Sequence, residues 1–202
     1  MERELMMTGI GGQGVQLAAQ LLARAAVAEG REVMLFGSYG GMMRGGNTDA
    51  TLVVGDGPIE TPPTIAHSWS AVVMHHDYWD WVHQRLQPNA VVLVNTTVFN
   101  VSVDWSPYRL VEVPATDAAV DVGYVHAASM VMIGAYAAAT GLVGLGSLIE
   151  AVERSLPSYR AQHRARNVTA LEAGHGLVTA GIAPAWLAAD DASVPVASGA
   201  PS

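Results

Sequence analysis

Short, continuous apolar runs recur along the chain and alternate with longer segments of helical periodicity. Leu5-Met6-Met7, Ala71-Val72-Val73-Met74 and Val91-Val92-Leu93-Val94 have the length and unbroken apolarity of strands covered on both faces. The pattern predicts strands over 4–8, 32–36, 50–54, 71–74, 91–94 and 109–113. It predicts helices over 13–29, 77–86, 115–121, 126–140, 146–155 and 159–177. This alternation predicts an α/β class, a doubly wound and mostly parallel sheet with a helical C-terminal part. The first helix is apolar nearly all round (Val15, Leu17, Ala18, Ala19, Leu21, Leu22, Ala25, Ala26), which places it centrally in the fold or against a partner. Beyond residue 180 the chain turns to Ala, Pro, Ser and Asp with little periodicity. The predicted organisation is therefore an α/β domain over 1–180 and an Ala/Pro-rich tail over 181–202, of which 186–202 reads as mobile or strapped over a partner.

Between the first strand and the first helix stands Gly9-Ile10-Gly11-Gly12-Gln13-Gly14. Glycines at its first, third and sixth positions fit the dinucleotide-binding fingerprint, in which bare backbone approaches a phosphate at a helix N-terminus. The first βαβ unit is on this ground Rossmann-like. Such a unit wants an Asp or Glu at the end of its second strand to hold ribose hydroxyls. Here Glu32-Val33-Met34-Leu35-Phe36 runs into Gly37-Ser38-Tyr39 with no carboxylate at its C-terminal end, which disfavours NAD.

A second glycine loop follows that strand, Gly37-Ser38-Tyr39-Gly40-Gly41-Met42-Met43-Arg44-Gly45-Gly46-Asn47. Arg44 is its only formal charge. A guanidinium among accessible backbone N–H groups suits a phosphate or carboxylate. Both loops are expected at one edge of the sheet, where ligands bind in this class of fold. Gly9, Gly11, Gly12, Gln13, Gly14, Ser38, Tyr39, Arg44, Gly45 and Gly46 are the candidate binding residues. Gln13 is expected to fix its turn or to meet a partner loop, and Arg44 to clamp an anion.

Composition narrows the classes further. The chain has 202 residues and no cysteine, so it carries no disulfide, Cys-ligated iron–sulfur cluster or thiolate zinc site. All 10 basic residues are Arg, which removes Schiff-base and P-loop lysine chemistry, and a net charge of -8 with no basic stripe argues against nucleic acid. The longest apolar helix is too short to span a bilayer, and the chain opens on a strand without the features of a signal peptide. No membrane association and a cytoplasmic location are expected.

Histidines offer a rival chemistry. His76, Asp80 and His83 could share one helical face and hold a divalent metal. The reading preferred is a helix N-capped by Asp77, whose Trp79, Trp81 and Tyr78 fill an interface, so no metal site is expected. His163 and His175 lie with Arg160, Arg164 and Arg166 on a polar segment that reads as solvated or subunit-facing.

The G-x-G-G-Q-G turn and the S-Y-G-x-x-x-R-G-G loop together resemble the gamma subunit or gamma domain of 2-oxoacid:ferredoxin oxidoreductases. Val113-Pro114-Ala115-Thr116 through Ala119 is similar to that family's V-P-A-T-x-x-A segment. Ser129 through Ala135 is similar to its N-x-x-x-L-G-A helix, and Asn167 through Gly174 to its closing N-x-x-A-x-x-x-G. His126 stands near a position where many members carry Asn. The resemblance spans about residues 4 to 176. It implies an accessory subunit of an enzyme that oxidatively decarboxylates a 2-oxoacid, usually to an acyl-CoA. Thiamine diphosphate, Mg and iron–sulfur clusters are then expected on alpha and beta partner subunits, with a ferredoxin-type acceptor. Gly55-Asp56-Gly57, with no Asn-Asn signature after it, reads as a turn and not as a thiamine-phosphate motif. This chain would bind no cofactor alone, CoA excepted, and would contribute to anion handling and docking. An aryl 2-oxoacid enzyme, such as indolepyruvate or phenylglyoxylate oxidoreductase, and a stand-alone nucleotide or CoA-binding module remain as alternatives.

Overall fold

A computed structural model describes residues 1–39, 46–61, 65–155 and 161–186, with the side chains of 38, 39, 161 and 162 set aside. Its elements are β1 (Glu2–Ile10), α1 (Val15–Ala28), β2 (Glu32–Tyr39), β3 (Asn47–Gly55), β4 (Ser68–Val73), α2 (Trp79–His83), β5 (Leu86–Asn95), β6 (Arg109–Val113), α3 (Ala115–Asp121), α4 (Ala128–Thr140), α5 (Leu145–Ser155) and α6 (Ala161–Gly176). One six-stranded sheet runs β2-β3-β1-β4-β5-β6. β1, β4, β5 and β6 are parallel neighbours, whereas β3 is antiparallel to both β1 and β2. The α/β, mostly parallel architecture holds. The β1-α1-β2 unit is a crossover, but β3 lies between its two strands and runs antiparallel to both.

Central strands are apolar on both faces, and Leu5, Met7, Leu52, Val72 and Leu93 are fully buried. α1 covers one face through Val15, Ala18, Ala19, Leu22, Ala25 and Ala26, while Gln20, Arg24 and Val27 face solvent. The helix enclosed on all sides is α4, every one of whose 13 residues is buried. Its Tyr136 hydroxyl meets Ser70 Oγ at 2.8 Å, and Ser70 Oγ in turn donates to the Glu4 carbonyl at 3.0 Å. Those two bonds satisfy polar groups that burial would otherwise penalise. Full desolvation pushes the Tyr136 hydroxyl far above the ordinary tyrosine range.

The segment predicted as one helix over 77–86 departs from expectation. It is a short 3-10 turn (His76–Tyr78) followed by α2, and β5 already begins at Leu86. Ser68 N–H donates to the Arg85 carbonyl at 2.6 Å, and Leu86 pairs with Ser68, so the sheet claims residues the helical pattern would have kept. Trp79 faces inward to Phe99, Trp105 (ring centroids 4.9 Å apart) and Tyr108, filling a second apolar cluster within the chain. Among the described residues no helix is long and apolar enough to cross a membrane.

Candidate functional site

The directions of the strands place the C-terminal ends of β1, β2, β4, β5 and β6 on one edge of the sheet, together with the start of β3. Ligands bind at this edge in open α/β sheets. The first glycine turn stands there, between the end of β1 and the N-terminus of α1. Gly12 and Gly14 adopt φ of 107° and 79°, backbone that L side chains rarely take. A Cβ on Gly14 would also lie 2.6 Å from Ser129 Oγ. Gln13 clips the turn shut. Its Oε1 accepts the Ile10 N–H at 2.8 Å, its own N–H donates to the Ile10 carbonyl at 3.0 Å, and its Nε2 reaches the Met74 carbonyl at 3.5 Å. The Gly11 N–H donates to the Gly46 carbonyl at 2.8 Å, which ties the two glycine loops together. The Gly11 and Gln13 N–H groups are thus engaged inside the protein, and the N-terminus of α1, where a helix offers N–H groups without intrahelical partners, stands beside them.

Beneath the turn lies a polar group that sequence reasoning missed. Asp49, 7% exposed on β3, accepts from Thr8 Oγ1 at 2.7 Å and from Asn47 Nδ2 at 2.5 Å, and Gln16 Nε2 donates to its carbonyl. Burial pushes its carboxyl above the ordinary value of 3.8, against those hydrogen bonds. The network anchors Asn47, where the second loop returns to the sheet, against Thr8 at the root of the first. No carboxylate follows β2 itself. The acid that occupies this edge comes from the strand inserted beside it, and a lone Asp inside Asn47-Thr48-Asp49-Ala50-Thr51-Leu52 was the signal available.

Asn95, at the end of β5, is also fully buried and was not singled out from sequence. Its Oδ1 accepts the N–H groups of Ala115 and Thr116 at 3.1 and 3.3 Å, and its Nδ2 donates to Thr116 Oγ1 at 2.9 Å. A neighbouring strand thereby caps α3, satisfying donors that the helix leaves unpaired.

Of the predicted residues, Gly9, Gly11, Gly12, Gln13, Gly14 and Gly46 come together on this edge. Ser38 and Tyr39 close β2 there, paired with Asp49 and Thr48. Arg44 and Gly45 lie outside the described residues. The histidine segment also sits at this edge, just after β4, and here the cap differs from expectation. His75, not Asp77, caps the 3-10 turn, with its Nδ1 accepting the Asp77 N–H at 3.3 Å. His76, Asp80 and His83 line one cavity of about 560 Å³. Among the described residues, however, the ligand atoms that come within 4.8 Å of one another belong to His75, His76 and Asp77. His76 Nδ1 lies 2.9 Å from the Val98 carbonyl, and His83 stacks on Trp79.

Comparison with known proteins agrees with this geometry. Residues 4–177 match the family model described as pyruvate ferredoxin/flavodoxin oxidoreductase. The chain is 31% identical over 188 residues to 2-oxoglutarate synthase subunit KorC of Methanothermobacter marburgensis, covering 90% of this chain and 99% of that protein. It is 31% identical to the pyruvate/ketoisovalerate oxidoreductases common subunit gamma of Thermococcus kodakarensis, covering 81% of this chain and 91% of that one. Its fold matches 2-oxoglutarate:ferredoxin oxidoreductase from Magnetococcus marinus, solved with 2-oxoglutarate, coenzyme A and succinyl-CoA bound. There the TM-score is 0.75 and the identity 15%, over 87% of this chain and 31% of the larger one.

Proposed function

The chain belongs to the pyruvate ferredoxin/flavodoxin oxidoreductase family and is a gamma subunit of a 2-oxoacid:ferredoxin oxidoreductase, and from that premise we propose that its glycine rim binds coenzyme A for the complex. The observation that carries the proposal is the Gly11 N–H to Gly46 carbonyl bond of 2.8 Å, which joins both glycine loops at the N-terminus of α1. A phosphate at that rim would meet the N-terminus of α1 and its partial positive charge. No acidic residue lies in that turn to compete with it. Gln13 holds the backbone in place and takes no part in the chemistry. Arg44 would supply the cation that pairs with a phosphate or with the substrate carboxylate.

The absence of cysteine leaves no thiolate ligands for an iron–sulfur cluster on this chain. Membership of the family supports placing thiamine diphosphate, its Mg and the clusters on alpha and beta subunits against which this chain docks, with electrons leaving the complex for a ferredoxin-type acceptor. The assembly is a hetero-oligomer. Replacing Arg44 by Ala in the reconstituted complex is expected to raise the KM for coenzyme A or the 2-oxoacid by about tenfold or more, equivalent to about 1.5–3 kcal/mol for a charged hydrogen bond. Steady-state kinetics identical to those of the unsubstituted complex would sink the assignment.

A further inference from the structure

A second cavity, of about 350 Å³, opens beside the glycine rim and is lined by Gly14, Tyr124, His126, Ser129, His163 and Asn167 with two apolar side chains. Three helices begin at its wall. α1 starts at Gly14, α4 is preceded by a 3-10 turn (Val125–Ala127) that starts at Tyr124, and the first turn of α6 brings in His163. None of these first turns carries an acidic residue, and no carboxylate is among the cavity's described lining residues. Each helix start concentrates partial positive charge and N–H groups without intrahelical partners. The starts of α1 and α4 and the first described turn of α6 therefore direct partial positive charge toward one cavity without any lysine.

The side chains point the same way. Asn167 is 7% exposed and Ser129 1% exposed, and neither side chain finds a hydrogen-bond partner among the described residues. Neither polar group is among the fully shielded unpaired atoms of the described residues, so both open onto the cavity and can meet a ligand. His163 Nδ1 is shielded from solvent and likewise without a partner. The His163 ring stacks on Tyr124 at 5.3 Å, His126 meets the edge of the same ring at 5.7 Å, and the Arg166 guanidinium lies 5.8 Å from it. Tyr124 thus gathers three basic side chains around one ring, two of which, His126 and His163, line the cavity. We propose that this cavity seats a phosphoryl group, with Asn167, Ser129 and His163 donating to its oxygens and the three helix starts stabilising its charge. The site shares Gly14 with the rim and deepens the coenzyme A reading, on which it rests only for the identity of the larger ligand.

Calorimetry on the full chain, alone and assembled with its partner subunits, tests this with inorganic phosphate, coenzyme A and pantetheine as probes. Saturable one-to-one binding of inorganic phosphate is expected, weakened at least about tenfold in Asn167→Asp, which is isosteric but anionic. His163→Asp is the second variant. A carboxylate in a helix's first turn favours the helix, so this variant keeps its fold while repelling the anion. Competition between phosphate and coenzyme A, with none from pantetheine, identifies the occupant as a coenzyme phosphate. Independent binding of the two identifies free phosphate, and either result upholds the site. Phosphate that fails to saturate, or that binds equally to both variants, overturns it. If Arg44→Ala then still weakens coenzyme A, the rim stands without the cavity. Loss of phosphate in Asn167→Asp with no effect of Arg44→Ala on coenzyme A leaves the cavity without the rim.

Discussion

Asp49 shows how one residue holds both a structure and a pH dependence. Its carboxylate lies under the glycine turn, held by Thr8 and Asn47, yet burial outweighs those bonds and raises its pKa above the ordinary 3.8. A folded state that binds the proton more tightly than the unfolded chain loses stability as pH rises from about that ordinary value through the raised one, and the slope vanishes outside this window. Asp49→Asn removes the titration. The unfolding free energy of the variant relative to the parent is therefore expected to increase as pH rises through that window, with Glu4, also raised by burial, cancelling because both proteins carry it. Urea unfolding of both proteins between about pH 4 and pH 8 measures the difference, and a difference independent of pH would refute the assignment. Gln13 was legible as a turn-fixing residue because an amide beside three glycines has few other uses. Asp49 and Asn95 were not legible, since their partners Thr8 and Thr116 are 41 and 21 residues away and only strand order brings them together.

At the scale of elements, two glycines explain why α4 and α6 pack as they do. A Cβ on Gly134 would stand 2.1 Å from the Leu171 carbonyl oxygen, and one on Gly174 would stand 1.9 Å from that of Val131. Backbone here touches backbone, so neither contact can be relieved by turning a side chain. Gly174→Ala is expected to destabilise the protein by about 3 kcal/mol or more, at or beyond the upper end of ordinary overpacking, because the helices themselves must separate. Gly146 in α5 is the contrast, with nothing within 4 Å of its would-be Cβ. There Ala is expected to stabilise by about 0.5–1 kcal/mol through helix propensity alone. Equal urea midpoints for the two variants would contradict this account of the crossing. The strands were legible because continuous apolar runs mark sheet covered on both sides, and all six predicted strands form. Hidden were the insertion of β3, which no local pattern encodes, and the cavity where α1, α4 and α6 begin. Its walls come from residues 14, 124–130 and 163–167, singled out in separate segments but brought together only by the fold.

For the molecule as a whole, the segment after α6 closes the fold over the buried end of α4. Gly181, Ala183 and Ala185 donate their N–H groups to the carbonyls of Ala138, Ala139 and Thr140 at 2.9, 3.0 and 2.7 Å. Alternate residues of this turning segment thus satisfy successive carbonyls that the last turn of a helix leaves without partners. The anchorage continues outward. Arg3 Nε donates to the Ala185 carbonyl at 2.6 Å, Trp186 Nε1 donates to the Leu142 carbonyl at 3.1 Å, and the Arg31 guanidinium lies 3.6 Å over the Trp186 ring. Trp186 and Arg31 therefore bind this segment to the turn between α1 and β2. A chain ending at Trp186 retains every one of these contacts. A chain ending at Ala180 loses them all and exposes the carbonyls of a helix that is buried throughout. Because each buried carbonyl left unsatisfied costs about 1–3 kcal/mol, with water recovering part of it, the shorter chain is expected to be less stable by about 3 kcal/mol or more. Its urea midpoint should fall below that of the 1–186 chain at equal m-value, and coincident midpoints would show that the segment rests on α4 without holding it.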